Sequence, residues 1–512
     1  MAEVVVVGGG VGGLAAAIRL RAAGHGVTIL ERRAELGGKL AVVEREGFRF
    51  DAGPSLLTLP SVFDELFRVA GTCLADAVPL RRLDPQLRHR WPDGSGFDTL
   101  DGPEATATAI EQFSPGGGAA YRRFEARGAR VWEVARRTFL AGPMTGGPAL
   151  LKRLRSPRDL PAVDPLRTLD SAARAAFTDP RLVQWAGRYA TYSGSSPRLA
   201  PATLACIPSI EAREGVWYPP GGLGALRDEL VGVAIACGVD VVTGVEVGSV
   251  EVSGGRVRGV RTADGERCRA DIVVANVDAE HLYGDLVPEP RAHRRATRAG
   301  RSLSGFVVLA GVRHITPGLH HHTVWFPEDG ALEFRQLREG AVADDPTIYT
   351  CVSSVTDASQ APAGHENWFL LVNAPHGRRV DRAAYRDLLL ERLAARGPDL
   401  RPRLLFSECL APADLADRYR SPGGAIYGTS SNGRRAAFLR PGNRGPYRGL
   451  YLAGGSSHPG GGLPLVAMSA RIVADTRPSP ALARALVARA VSDGLDVLSA
   501  AGRFECPTGP LR

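Results

Sequence analysis

Residues 2–33 read AEVVVVGGGVGGLAAAIRLRAAGHGVTILERR. A run of four valines meets Gly8, Gly10 and Gly13 in GxGxxG spacing, and an alanine-rich helical pattern follows. A second apolar run, VTIL, closes on Glu31. Strand, glycine turn, helix, strand and acid, with the acid about twenty residues past the glycines, is the order of a dinucleotide-binding unit. Each residue type has a physical task in that reading. Gly8 makes the tight turn, Gly10 lets the backbone reach a pyrophosphate, and Gly13 lets the helix pack closely on the strand. Glu31 accepts from a ribose hydroxyl. A glycine turn alone is a weak signal, and the flanking strand, helix and acid make it specific.

A second glycine cluster lies at the far end of the chain. Residues 449–475 read GLYLAGGSSHPGGGLPLVAMSARIVAD, with five glycines between Gly454 and Gly462. Ordering a glycine costs backbone entropy, so such a cluster beside an apolar run implies close approach of something large. Pro464 falls in the favoured first turn of the helix that follows. The free N–H groups of that helix end would point at whatever the glycines admit.

What binds is narrowed by RRAELGGKLAVVEREGFRFDAGPSLLTLP, residues 32–60, in which Gly37-Gly38-Lys39 resembles the signature of FAD-containing amine oxidases and carotenoid desaturases. FDAGPSLLTLP (50–60), ATYSGSSPRLAPATL (190–204), GVWYPPGGLGALRDEL (215–230) and DDPTIYTCVSSVTDASQAPAGHENWFLLVNAP (344–375) extend the likeness. Together with both glycine regions, they resemble the bacterial-type phytoene desaturase family, in family order from residue 4 to about residue 475. The resemblance implies an α/β fold: a Rossmann-like FAD-binding domain of the glutathione-reductase/amine-oxidase type, with a discontinuous substrate or lid domain of mixed sheet and helices. It implies FAD contacts from Gly8, Gly10, Gly12, Gly13, Glu31 and Arg32, and then from Gly38, Lys39, Gly53 and Pro54. By the same resemblance Val247 falls where a backbone amide and carbonyl meet the adenine. Gly454, Gly455, Gly462, Leu463 and Pro464 fall beside the isoalloxazine ring, where a positive helix end would stabilise the charge gained on reduction. Many related flavoenzymes place an acid in this loop. This chain has Gly455 and Ser456 instead, which favours the desaturases over amine oxidases.

Residues 239–277 alternate like a β-meander, with SGG and ADG turns, and end in a buried strand. Residues 80–215 contain helix-like stretches, among them AAYRRFEARGARVWEVARRTFL (119–140) and ALLKRLRSPRDL (149–160). Residues 290–425 mix strands with the helix RAAYRDLLLERLAAR. The expected division is a discontinuous FAD-binding domain of 1–80, 216–290 and 426–490. A substrate, lid and membrane-facing region takes 81–215 and 291–425, and 491–512 form a C-terminal tail.

The bulk numbers fit an ordinary globular chain: 44% hydrophobic and 23% charged over 512 residues. The net charge of +9 invites an anionic partner, yet Lys39 and Lys152 are the only lysines among 63 basic residues. That arginine bias reads as genome composition. No nucleic-acid motif accompanies the charge, so nucleic acid is not expected, whereas an anionic membrane surface fits. The N-terminal apolar run lacks a basic flank and reads as a core strand rather than a signal peptide. No spanning segment is expected, so the chain should lie on the cytoplasmic side, peripherally attached to membrane. Its seven cysteines carry no CxxC pair and read as reduced thiols.

The resemblance implies removal of a hydride and a proton from adjacent carbons of a long, linear C30 to C50 polyene. The allylic cation left by hydride loss is delocalised, so a strong base is less necessary, and none stands out. His458, in the second glycine loop, is a candidate proton acceptor, although the commoner role for a histidine there is to orient or pack the loop. Arg188 is a candidate tunnel residue or a structural cation. His320, His321 and His322 tempt a metal reading, but consecutive ligands do not converge, so no metal is expected. PPGGLGAL at 219–226 lacks a preceding strand and a following acid, so a second nucleotide domain is not expected. Electrons would then leave for a quinone or oxygen. Rival readings are a desaturase of hydroxylated carotenoids or another terpenoid oxidoreductase of the same family, a flavin amine oxidase, and a non-catalytic prenyl-binding carrier.

Overall fold

The computed structural model describes residues 1–144, 153–156, 159–164, 166–433 and 436–476. One half of the fold is a five-stranded parallel sheet in the order Leu450–Leu452, Ile272–Ala275, Glu3–Val7, Gly26–Glu31, Asp240–Thr243. The central strands are apolar on both faces because both are covered. Val4, Val6, Ile29 and Val274 pack under the helices Val11–Ala22, Leu223–Ala236 and Leu463–Asp475. Val5, Val7, Leu30 and Val273 face the other way, onto Val250, Val257 and Val260. Those three belong to the antiparallel meander Val247–Ser253, Arg256–Thr262, Arg267–Arg269, as the alternation at 239–277 predicts.

The second half is a seven-stranded sheet in the order Leu404–Leu410, Ser304–Arg313, His365–Ala374, Ile348–Cys351, His322–Trp325, Leu87–Arg90, Gly96–Thr99. All neighbours are antiparallel except Leu87–Arg90 against His322–Trp325. One face carries Phe306, Val308, Trp368 and Leu370 against Tyr385 and Leu389 of the helix Arg382–Ala394. The other carries Leu309, Tyr349 and Phe369 toward an aromatic cluster built on Trp91, Phe97, Trp185 and Phe326.

Two strands of this sheet, LRHR and GFDT, lie in the region whose pattern reads as helical. They are short and polar enough to hide in the sequence. Arg88 ties them together with a two-pronged pair to Asp98 at 3.1 and 3.0 Å. The helices around them include Gly117–Thr138, which buries Tyr121, Phe124, Val131 and Val134 and turns Arg122, Arg123 and Arg130 to solvent. Half of the stretch 149–160, expected to be helical, lies outside the described residues, and the tail at 491–512 lies wholly outside them.

Candidate active site

The glycine turn follows from the first strand and is shaped by contacts that tolerate no side chain. A Cβ at Gly13 would sit 2.1 Å from the Gly8 carbonyl oxygen, and one at Gly10 would sit 2.8 Å from Asn276 Oδ1. Gly8 itself takes a φ of 94°, which glycine adopts freely. Glu31, at the end of the second strand, is buried, and its two oxygens accept from the amides of Gly9 and Arg33 at 2.8 and 2.9 Å. Two of its roughly four lone-pair positions are thus engaged.

The Gly37-Gly38-Lys39 segment docks directly on this turn. Gly37 N donates to Gly9 O at 2.8 Å. A Cβ on Gly38 would lie 3.0 Å from the Gly10 Cα. Behind it, a Cβ at Gly53 would meet the Lys39 carbonyl at 1.9 Å, so these two loops need glycine to approach each other. Burial lowers the Lys39 amine to about 8 against the pull of the Asp278 carboxylate. Its Nζ donates to the Ile426 carbonyl. Arg32 reaches across to the carbonyls of Asp417 and Arg418.

The C-terminal glycine loop closes the same space. Gly454 (φ 134°) and Gly462 (φ 107°) take conformations that suit glycine. The helix Leu463–Asp475 begins after Gly462 without a side-chain cap, with Pro464 in its first turn. Three residues absent from the sequence expectations organise this junction. Asn276 follows the strand Ile272–Ala275, and its Nδ2 donates to Ala453 O at 2.7 Å, joining the two glycine regions. Arg440, buried, donates to Gly455 O at 2.7 Å and Thr429 O at 2.7 Å, and burial lowers it to about 10. Ser469 accepts from the Gly454 amide at 3.2 Å. A single asparagine or arginine in a loop carries no spacing signal. Only a polar residue just past a buried strand, in IVVAN, offered a clue.

A single continuous cavity of about 750 Å³ connects these elements to the second sheet. Gly8, Gly10, Gly12, Glu31, Arg32, Gly38, Lys39, Gly53, Pro54 and Val247 border its nucleotide end, and Gly454, Gly455, Gly462, Leu463 and Pro464 its middle. Gly13 packs beneath the turn and does not border it. From there the cavity passes Tyr427, Tyr192 and Tyr349 to Trp91, Gln184, Phe326 and Phe334.

Arg188 stands in that middle section. It ends the helix Pro180–Arg188, and its guanidinium lies 5.4 Å from the Tyr192 ring centre and 5.8 Å from that of Tyr349. Its Nη1 is buried without a hydrogen-bond partner. The buried Glu211, which accepts from Tyr189 and Tyr192 at 2.8 and 2.7 Å, balances the charge at one remove. Burial alone would lower the guanidinium, but the phenols and Glu211 outweigh it and leave it raised.

His458 is not brought to the cavity. Its ring is buried against Phe139, 4.6 Å between centres, and Nε2 faces the Gly142 carbonyl at 3.2 Å. Burial lowers it to about 4, so it is neutral at physiological pH. This placement corrects the expectation of a proton acceptor: the glycine loop turns the histidine away from the space it lines. A second expectation also needs correction, because His321 and His322 converge with Cys351 despite being consecutive.

The glycine cradle tests well for FAD. A backbone stripped of Cβ atoms meets two helix starts without side-chain caps, Val11 and Leu463, at one elongated cavity with an acid at its nucleotide end. Fold and site define an FAD-dependent oxidoreductase. The model of the flavin containing amine oxidoreductases matches residues 11–476, and the chain belongs to that family. Among its relatives are the hydroxyneurosporene desaturase of Cereibacter sphaeroides, 38% identical, and the 4,4'-diapolycopene oxygenase of Methylomonas sp, 33% identical. Each alignment covers 92% of this chain and 97% of the relative. A 4,4'-diaponeurosporene oxygenase of Staphylococcus aureus is 32% identical over the same shares. Solved structures share the fold: an oxidoreductase from Methanosarcina mazei (TM-score 0.64, 17% identity, 92% and 100% of the two chains) and a putrescine oxidase variant (0.61, 15%, 95% and 99%).

Proposed function

We propose that the protein is a carotenoid desaturase that introduces double bonds into a long apolar polyene. One observation carries this reading: a single cavity runs from the FAD cradle into a tunnel walled by aromatic and aliphatic side chains. FAD supplies, when bound, an acceptor for hydride. The chain's own residues do the rest. Arg440 and Ser469 fix the Gly454-Gly455 backbone, and the uncapped helix end at Leu463 faces the same space with its N–H groups. The apolar wall excludes water and orients adjacent sp³ carbons. A proton released from the delocalised substrate cation passes to solvent or a weak base, and His458 takes no part in this reading.

Arg188 favours a second reading within the family, a late desaturase of hydroxylated polyenes. An unpartnered Nη1 beside Tyr192 and Tyr349 is a donor set for an oxygen in an otherwise apolar tunnel. The aromatic-walled pocket of an amine oxidase is less well matched, since Arg188 would repel an ammonium.

The reading extends to the surroundings. No helix among the described residues is long and apolar enough to cross a membrane. Yet Leu166, Leu199 and Phe438 stand exposed, and Leu199 neighbours Pro197 and Arg198, which border the cavity. The Leu199 carbonyl accepts from Gly433 at 2.9 Å, and Thr168 bridges Pro201, so these segments meet at one rim. Peripheral docking by this rim, on the cytoplasmic side, would deliver the substrate from the bilayer. The arginine-rich helix Gly117–Thr138 keeps its apolar side inward and is a weaker candidate. Electrons would pass to a quinone or oxygen.

Expression in bacteria making phytoene, and separately in bacteria making hydroxylated carotenoids, tests the assignment. Each desaturation removes two hydrogens and moves absorption to longer wavelength. Conversion in the second host alone selects the late-stage reading, and no mass change in either host, with flavin bound, overturns both. Sedimentation with anionic liposomes checks the docking: replacing Leu199 and Phe438 by Ser should weaken binding, and unchanged binding would reject this rim.

A further inference from the structure

The seven-stranded sheet holds a polar cluster just behind the cavity wall. His322 opens the strand His322–Trp325 and stands directly opposite Cys351 in the antiparallel register, so the two side chains share a face. His321 precedes the strand and escapes its alternation, and its ring meets that of His322 edge-on at 4.4 Å. A nitrogen of each ring and Cys351 Sγ lie within 4.8 Å of one another. All three residues are at least nine-tenths buried, with 4, 1 and 6% exposure.

The hydrogen bonds around the rings are those of oriented ligands. His322 Nδ1 meets the Tyr349 hydroxyl at 2.8 Å, and that hydroxyl in turn meets Ser55 at 2.7 Å. His321 Nδ1 meets Thr356 Oγ1 at 2.7 Å. Both Nε2 atoms are left buried without a hydrogen-bond partner. An orphaned buried acceptor costs free energy, and native structures keep such groups where another partner completes them. A hydroxyl or carbonyl on one nitrogen, leaving the other free, is the arrangement that fixes tautomer and ring direction at metal centres.

We propose that His321, His322 and Cys351 form a zinc site that ties the start of one strand to the end of its neighbour. Two imidazoles and a thiolate suit Zn(II) as three of its four ligands. Zinc bonds of about 2.0–2.3 Å place ligand atoms roughly 3.3–3.6 Å apart, so a closure of about 1 Å completes the shell. The surrounding charges suit a net cation: Asp51 acts on Cys351 and Asp357 on His321, while Arg188 opposes from the His322 side. None of the three ligands borders the cavity, which assigns the ion a structural place, stiffening the wall that carries Tyr349.

The test uses the flavin-loaded full chain, purified from zinc-supplemented cells and dialysed against buffer. Elemental analysis should give about one zinc per flavin. The variants C351S and H321Q should lose at least 90% of that zinc while keeping the flavin-to-protein ratio. Protein without zinc, or zinc unaffected by these substitutions, would overturn the proposal. Should either variant fail to fold, X-ray absorption at the zinc edge of the unaltered protein decides. Two nitrogens and one sulfur in the shell support the site, and a shell without sulfur rejects it.

Discussion

Helices Val11–Ala22 and Leu223–Ala236 begin alike. Each follows a glycine whose position offers no side-chain cap, and each packs against the same face of the parallel sheet. They differ in what meets their first N–H groups. At Leu223 and Gly224 the Asp51 carboxylate accepts both amides, at 2.8 and 3.0 Å. At Val11 no side chain caps the helix, and Gly10, Val11 and Gly12 border the cavity. Both ends offer the same unsatisfied donors. The chain closes one with its own anion and reserves the other for a ligand's phosphates. A glycine turn before a helix is therefore only an opportunity, and a residue some 170 positions away in sequence, Asp51, removes it.

Filling the open end should have the largest effect. Gly10→Val would place a side chain 2.8 Å from Asn276 Oδ1, in the space the cradle keeps clear. Flavin absorbance of the purified variant should fall to near zero while the protein remains folded by circular dichroism. Stoichiometric flavin in that variant would reject the cradle.

A smaller effect follows at the joint between the two glycine regions. Asn276→Ala removes the bond to Ala453 O and leaves that acceptor unsatisfied, at a cost of ~1–3 kcal/mol. Denaturant unfolding should show this loss, with weakened but measurable flavin binding. Unchanged stability would mean that the two regions hold together without it.

How much of this could be read beforehand depends on the range of the signal. The open end was legible because Gly8, Gly10, Gly13 and Glu31 sit within one local unit, where spacing constrains geometry. The Leu463 helix was legible for the same reason, with Pro464 and five glycines in one short stretch. The plug at Leu223 was not, since Asp51 and Gly222 meet only in the folded chain. The same holds for Asn276 and Arg440, single polar residues that acquire roles from their partners. His458 misled because proximity in sequence to the glycine loop does not fix which way a ring turns. His321 and His322 misled oppositely: alternation applies inside a strand, and His321 lies just before one. The strands LRHR and GFDT escaped because each is only four residues long, and Leu87 and Phe97 alone mark the buried face with an apolar side chain.

The closed end should give the smallest effect and the most diagnostic one. Asp51→Asn keeps one acceptor oxygen and turns an NH₂ toward the other amide, which should cost ~1–2 kcal/mol without changing flavin content, because this helix end does not border the cavity. The pH dependence sharpens the comparison. Burial raises the Asp51 carboxyl from 3.8 to about 6, against the lowering effect of the Leu223 and Gly224 amides. A raised carboxyl binds its proton more tightly folded than unfolded, so folding takes up a proton between those two values. Stability that Asp51 contributes is then greatest at acid pH and declines as pH rises through about 6. The carboxamide of the Asp51→Asn variant cannot titrate, so the stability gap between the two proteins should narrow from about pH 4.5 to about pH 7 by denaturant unfolding of the flavin-bound forms. A gap that widens instead would show that the two helix amides outweigh burial, so that folding lowers the Asp51 carboxyl rather than raising it.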